Sequence, residues 1–214
     1  MLLSQYTTAV RRLLNDSSSN YWTNDELKDY INEARRKVAV DTKCVRAFQT
    51  GNLVAGQERY TFTDVNVALP QGNQVVDIIN ITAIWGTSRY QLGYAPFTLF
   101  SAKFRAYVNL QTIPCAFTVY NANEYWIGYV PDQAYACEFD TAIQPLSLAN
   151  DNTVDAIPSP YDEAVKFFAA SLARLKLQQY KEYEAQQTIY EKYIARLGAM
   201  PPRRIPYVFT NDIF

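Results

Sequence analysis

The sequence predicts an α+β fold: an antiparallel helical bundle formed by the N- and C-terminal helices, an inserted antiparallel β-rich lobe, and an extended C-terminal tail. Three observations predict it. Helical periodicity with clear start signals occupies both ends of the chain. Runs of β-branched and aromatic residues, punctuated by Gly, Asn, Asp and Pro, fill the middle. A pair of prolines then cuts off a final aromatic stretch. The implied boundaries are 1–44 and 158–199 for the bundle, 45–157 for the lobe and 200–214 for the arm.

The first helix is predicted over residues 4–16, where Tyr6, Val10 and Leu13 recur at helical spacing, and Asp16-Ser17-Ser18-Ser19-Asn20 ends it as a loop. The second has the clearest start. Thr23-Asn24-Asp25-Glu26 is a capping box, with Trp22 and Leu27 placed to form a hydrophobic staple. Leu27, Ile31, Ala34 and Val38 make an apolar stripe, and the helix should run to about residue 42.

In the middle, Tyr60–Thr63, Val75–Ile81, Phe117–Tyr120, Tyr125–Tyr129 and Tyr135–Phe139 read as strands close enough in sequence to pair antiparallel. One helix interrupts them, with Phe97, Phe100, Phe104 and Tyr107 on one face and Thr98 as N-cap. Helix returns at Pro158-Ser159-Pro160, where Ser159 suits the N-cap and Pro160 the first helical position. Tyr161, Val165, Phe168, Leu172 and Leu175 form one stripe; Tyr183, Tyr190, Ile194 and Leu197 form another after a break near 179–181. Gly198 suits the end of that helix, and Pro201-Pro202 forbids its continuation.

Composition narrows the function. Of 214 residues, 19% are charged and 14% aromatic, with 17 Tyr, which suits either a Tyr-rich β-core or a surface reserved for protein contacts. The net charge of −1 argues against tight wrapping of DNA but allows a neutral channel along which DNA slides. Histidine is absent, so imidazole chemistry is excluded. Cys44, Cys115 and Cys137 are odd in number and widely spaced, which predicts free thiols, no disulfide framework and no zinc site. No phosphate loop, dinucleotide fingerprint or nucleophile elbow occurs, and no cofactor or metal is expected. Neither a signal peptide nor an apolar run of the ~18 residues that a membrane span needs is visible, so synthesis in a reducing cytoplasm is expected.

Four groups of residues invite a functional reading. Glu58, Asp64, Asp77, Glu124, Asp132, Glu138 and Asp140 supply carboxylates that a peptidoglycan hydrolase would need in pairs, although scattered carboxylates occur in any protein. Tyr120, Tyr125, Trp126 and Tyr129, near Asn121 and Asn123, suit either the platform of a carbohydrate- or receptor-binding module or a hairpin with rings buried in the lobe. Arg11-Arg12 and Arg35-Arg36-Lys37 read as solvated helix faces. The tail differs, because Arg203 and Arg204 open an extended segment with Ile205, Tyr207, Phe209 and Phe214. Arg and Tyr are common binding anchors, so these six residues read as a docking element for a partner; the alternative is a tail folded back on its own domain.

Three stretches carry a family resemblance. Trp22-Thr23-Asn24-Asp25-Glu26-Leu27-Lys28-Asp29-Tyr30-Ile31-Asn32-Glu33-Ala34 resembles the W-[TS]-x-x-E-L-x-x-Y-[IL]-N-x-A opening of podovirus head-to-tail adaptor (connector) proteins of tailed bacteriophages. Asp151–Ala164 resembles their D-x-x-x-x-x-[IL]-P-x-x-[YF]-D-x-A segment, and Pro131-Asp132-Gln133-Ala134-Tyr135 resembles their P-x-P-D-x-x-Y connection, with Tyr129-Val130 where another Pro is expected. The resemblance implies a non-enzymatic virion protein of the phage neck, made in the host cytoplasm. It implies a dodecameric ring between the portal protein and the tail nozzle or tail tube, through which genomic DNA passes without sequence-specific binding, and no membrane. By the same analogy the six tail residues dock on the portal or a neighbouring subunit.

Overall fold

A computed structural model describes residues 1–65, 74–106, 110–198, 204, 206 and 207. In chain order the elements are α1 (Leu3–Leu14), α2 (Asn24–Thr42), β1 (Arg46–Leu53), β2 (Arg59–Thr61), the single turn α3 (Phe62–Val65), β3 (Gln74–Trp85), β4 (Ser88–Gln91) and β5 (Gly93–Tyr94). They continue as α4 (Phe97–Phe104), β6 (Gln111–Thr112), β7 (Ala116–Val119), β8 (Glu124–Gly128), β9 (Val130–Pro131), β10 (Tyr135–Gln144), α5 (Tyr161–Lys176) and α6 (Tyr180–Gly198). The chain is thus mixed α+β, with sheets that are mainly antiparallel and no barrel among the described residues. It divides into two compact units, Met1–Val45 with Ile143–Pro201, and Arg46–Ala142 with Pro202–Phe214.

In the helical unit, α2 forms where its local signals place it. The Thr23 hydroxyl accepts from the Glu26 amide at 3.2 Å, and the Glu26 carboxylate accepts from the Thr23 amide at 3.1 Å. Trp22 and Leu27 are both buried, as a staple requires. Leu27, Ile31, Ala34 and Val38 are fully buried, and the helix stops at Thr42, where Lys43 turns left-handed at φ 52°.

Helix α5 departs from its expected face. It packs against α1, α2 and α6, and the buried side chains are Ala164, Val165, Ala169, Ala170, Ser171 and Ala173. Of the expected stripe only Val165 is buried; Tyr161, Phe168 and Leu172 are half-buried and Leu175 is exposed. A helix that touches three others needs short side chains on several sides, because each close approach leaves little room beyond a methyl group. Its start is also later than expected. Tyr161 is the first helical residue and Pro160 the N-cap, so Ser159 does not cap it.

Buried polar groups then tie the helices to the segment that follows β10. Arg35 donates to Asp155 Oδ1 at 2.9 Å, to Asn32 Oδ1 at 3.0 Å and to the Leu146 carbonyl at 2.8 Å. Asp155 also accepts from the Tyr6 hydroxyl at 2.8 Å and from the Ile157 amide at 3.1 Å. Burial, with the Asp155 carboxylate beside it, pushes the Tyr6 phenol well above its ordinary range. A second cluster joins Arg11 to Asp16 at 2.9 Å, to the Trp22 carbonyl at 3.0 Å and to Asn24 Oδ1 at 2.8 Å. Arg11 and Arg35 are therefore structural, whereas Arg12, Arg36 and Lys37 are the exposed members of their clusters. The same bonds explain why residues 143–157 belong with the helices rather than with the lobe, where the sequence alone had put them.

In the second unit, one sheet has the order β1-β10-β3-β4 and another the order β2-β8-β7-β5, with a small pair β6-β9. Two pairings, β5 with β7 and β6 with β9, are parallel, against the antiparallel expectation. The run Tyr60–Thr63 is strand only to Thr61, after which α3 begins at Phe62. Strand β1 was not foreseen, because Arg46–Leu53 contains Gly51 and few β-branched residues.

Strand β8 is buried on both faces. Tyr125 faces the first sheet, its ring 5.9 Å from Phe139 of β10 in a T-shaped contact. Trp126 and Gly128 face the other way, toward α4, where Ala95, Phe100, Phe104, Ala116 and Trp126 form one apolar cluster. A Cβ on Gly128 would lie 2.6 Å from Phe104 and 2.9 Å from Phe100, so only glycine fits beneath α4. Helix α4 starts at Phe97 with Pro96 at the N-cap, so Thr98 lies inside it; Tyr107 lies outside the described residues. The three cysteines are free, and burial pushes the Cys137 thiol up to about 12.

Candidate functional site

The C-terminal segment meets the edge of the sheet that ends in β5. Two of the six expected docking residues, Arg204 and Tyr207, are described; Arg203, Ile205, Phe209 and Phe214 lie outside the described residues. The Tyr207 amide donates to the Tyr94 carbonyl at 2.8 Å, and Pro206 bridges Tyr94 in parallel. The segment thus lies against β5 as an added edge strand would. Pro206 suits such a position, since an edge strand has one side that needs no N–H donors.

Each neighbour of this segment has a chemical reason to be there. Arg204 Nε and Nη2 both donate to the Ile78 carbonyl, at 3.2 and 3.1 Å, and the guanidinium pairs with Asp77. The guanidinium carbon lies 4.1 Å from the centre of the Tyr94 ring, a cation–π contact. The Tyr207 ring stands edge-on to Phe104 at 5.3 Å, with the Lys103 ammonium 4.9 Å from its centre. Gly93 makes the close approach possible, because a Cβ there would fall 2.6 Å from Tyr207 Cα.

Of the two readings of the tail, a docking element for a partner or a segment folded back on its own domain, the described Arg204 and Tyr207 lie against the chain's own lobe, and sequence reasoning did not find that seat. Gly93, Tyr94, Phe104 and Lys103 carried no motif. The signal available was an isolated glycine beside a strand, which often marks close passage of another backbone.

The aromatic run forms a hairpin of the lobe. Tyr125 and Trp126 are buried, Tyr129 packs on Phe104 at 5.1 Å, and only Tyr120 is half-exposed, stacked on Trp126 at 5.0 Å. Arg59 and Arg105 cover the Trp126 ring at 4.5 and 4.9 Å. No open platform of two or more rings results from these four residues.

The seven carboxylates are each engaged locally. Glu58 pairs with Arg105 at 3.6 Å, Glu138 with Arg89 at 2.9 Å, Asp140 with Arg46, and Asp77 with Arg204. Asp64 accepts from the Thr61 amide at 2.7 Å, Glu124 from the Asn121 amide group at 3.3 Å, and Asp132 from the Tyr135 hydroxyl at 2.6 Å. Among the described residues, no group of three or more Cys, Asp or Glu is gathered as a metal site would need, and no helix is long and apolar enough to cross a membrane.

On the helical unit, Thr7, Arg11, Asn24, Asp25, Lys28 and Asp151 border a polar cleft of about 550 Å³. Large apolar side chains stand in solvent on both units: Tyr21, Tyr180, Leu175 and Leu177 on one, Phe48 and Trp85 on the other.

A family model described as SU10 adaptor protein matches residues 1–208. No curated protein matches the sequence.

Proposed function

The chain belongs to the SU10 adaptor protein family, a family of phage head-to-tail adaptors, and from this premise we propose that it builds a homo-oligomeric, dodecameric ring between the portal and the tail. Membership gives it a structural role in the phage virion. The family match over residues 1–208 is the observation that carries the reading.

The physical mechanism is assembly rather than catalysis. The four long helices close an antiparallel bundle that forms the ring wall, and the β-rich lobe meets the next tail component, a nozzle or tube protein. The tail arm, through Arg203, Arg204, Ile205, Tyr207, Phe209 and Phe214, attaches the ring to the portal or to a neighbouring subunit. Closed rings need heterologous contacts, in which one face of a subunit meets a different face of the next. Exposed apolar residues such as Tyr21, Phe48, Trp85 and Tyr180 supply area for such contacts, since large apolar side chains in solvent gain free energy when a partner covers them. The lumen passes genomic DNA. A chain with net charge −1 offers no excess of cations to hold the phosphates, which favours sliding over sticking.

Deleting residues 201–214 tests the arm. The truncated chain is expected to keep both units folded by circular dichroism and to fail to co-sediment with portal protein. A folded, truncated chain that still co-sediments with portal would overturn the assignment of the arm.

A further inference from the structure

We propose that the seat at β5 is an intramolecular latch: it stores Arg204 and Tyr207 on the chain's own lobe, so that these anchors reach the portal protein only after leaving the seat, and portal attachment is held back in the free chain. This rests on the reading of the arm as a portal-docking element and adds its regulation.

The seat engages the groups that docking needs. The Arg204 guanidinium donates to the Ile78 carbonyl and pairs with the Asp77 carboxylate along its N–H edge, while its face lies on the Tyr94 ring. The Tyr207 ring stands edge-on to Phe104, with the Lys103 ammonium over it, and the Tyr207 amide donates to the Tyr94 carbonyl at 2.8 Å. A guanidinium carries its donors in one rigid plane, so a fork that grips Asp77 and Ile78 cannot at the same time grip a partner's carboxylate in the same way. The seat and the portal are therefore alternatives for the same atoms.

Two observations make this a latch rather than a permanent strut. The seat is shaped for the arm: the three atoms nearest to a Cβ placed on Gly93 all belong to Tyr207, at 2.6, 2.9 and 3.0 Å, so the missing side chain at 93 makes room for this segment. The grip is also shallow. Arg204 and Tyr207 are half-buried, Pro206 is exposed and has no N–H to give, and among the described residues the backbone tie to the lobe is the single bond to Tyr94. Contacts that water reaches exchange for contacts with water at small net cost, so the segment can leave without unfolding the sheet beneath it. A chain whose binding-competent form is a small fraction of the whole binds more weakly by that fraction. The closed latch thus lowers the apparent affinity for portal, and a portal surface that grips Arg204 and Tyr207 more tightly than the seat does opens it.

The test compares the unaltered full chain with two variants that weaken the seat and leave both anchors in place. Asp77→Asn removes the charge opposite Arg204, and Gly93→Ala puts a methyl group where Tyr207 lies. Each is checked for folding by near-ultraviolet circular dichroism, and either one alone suffices. Trypsin must take the Arg204 side chain into its own specificity pocket to cut after it, so the rate at which residues 205–214 are released, followed by mass spectrometry, reads the opening of the seat. The variants are expected to release this peptide about tenfold faster than the unaltered chain and to bind portal protein about tenfold more tightly, in proportion to the fraction of arm set free. Equal release rates overturn the latch. Faster release with portal affinity unchanged or weakened overturns the latch as a brake and leaves portal docking by the arm standing. Absence of portal binding by the unaltered chain and by both variants overturns the docking reading and the brake together.

Discussion

The helical unit and the β-rich lobe are held together by different chemistry. The helices meet through alanines and through buried ions whose partners are far away in sequence, such as Arg35 with Asp155. The lobe is held by aromatic rings, with Tyr125 on one side of β8 and Trp126 on the other, while ion pairs such as Arg89–Glu138 lie nearer its surface. The difference is one of tolerance. A buried ion left without its partner keeps its desolvation penalty, whereas a ring cluster loses stability in proportion to area removed or space overfilled.

The largest effect should come from breaking the buried pair. Asp155→Ala leaves the Arg35 guanidinium buried without its carboxylate and removes the acceptor of the Tyr6 hydroxyl. It is expected to cost about 3–5 kcal/mol of stability, read as a lowered urea midpoint. Loss of less than ~1 kcal/mol, the range of exposed pairs, would erase the contrast between the two units. Next comes Gly128→Ala, which forces a methyl group against Phe104 and Phe100. Overfilling of this kind costs about 1–3 kcal/mol. The change should appear in the near-ultraviolet signal of the lobe aromatics, with helical content unchanged.

A third effect appears only at alkaline pH. In the lobe, burial raises the Cys137 thiol from 9.0 to about 12 and the Tyr60 phenol from 10.0 to about 12. The folded state thus holds these protons more tightly than the unfolded state does. Their contribution is complete below the unfolded values and is lost as pH rises through the folded ones. Stability should therefore fall between about pH 9 and pH 12, and Cys137→Ala should lessen that fall. Urea midpoints measured on either side of this window would show it, and an equal fall in the variant would remove Cys137 from the account.

The same contrast explains what the sequence disclosed. Helix α2 was legible because a capping box, a staple and a stripe are all local, and its limits at Asn24 and Thr42 follow from them. The burial of Arg35 was not legible, because nothing near it signals an acceptor that lies 120 positions further along the chain. The face of α5 was misjudged for a related reason. Counting large apolar residues finds one stripe, whereas a helix with three neighbours buries its smallest residues. In the lobe, β2, β3, β7, β8 and β10 were visible as aromatic or β-branched runs, but β1 was too polar and β4, β5, β6 and β9 were too short to announce themselves. At the candidate site, the composition of the tail marked Arg204 and Tyr207, while the seat depends on Gly93, whose contribution is the absence of a side chain.

The alanine-lined flanks of α5 also have a mechanical consequence. Alanine has no side-chain rotamers through which a packed surface can give way, and close-packed interiors have low compressibility. A push on any one of the three helices against α5 is therefore passed to the other two with little damping, so that α5 acts as the stiff keel of its unit.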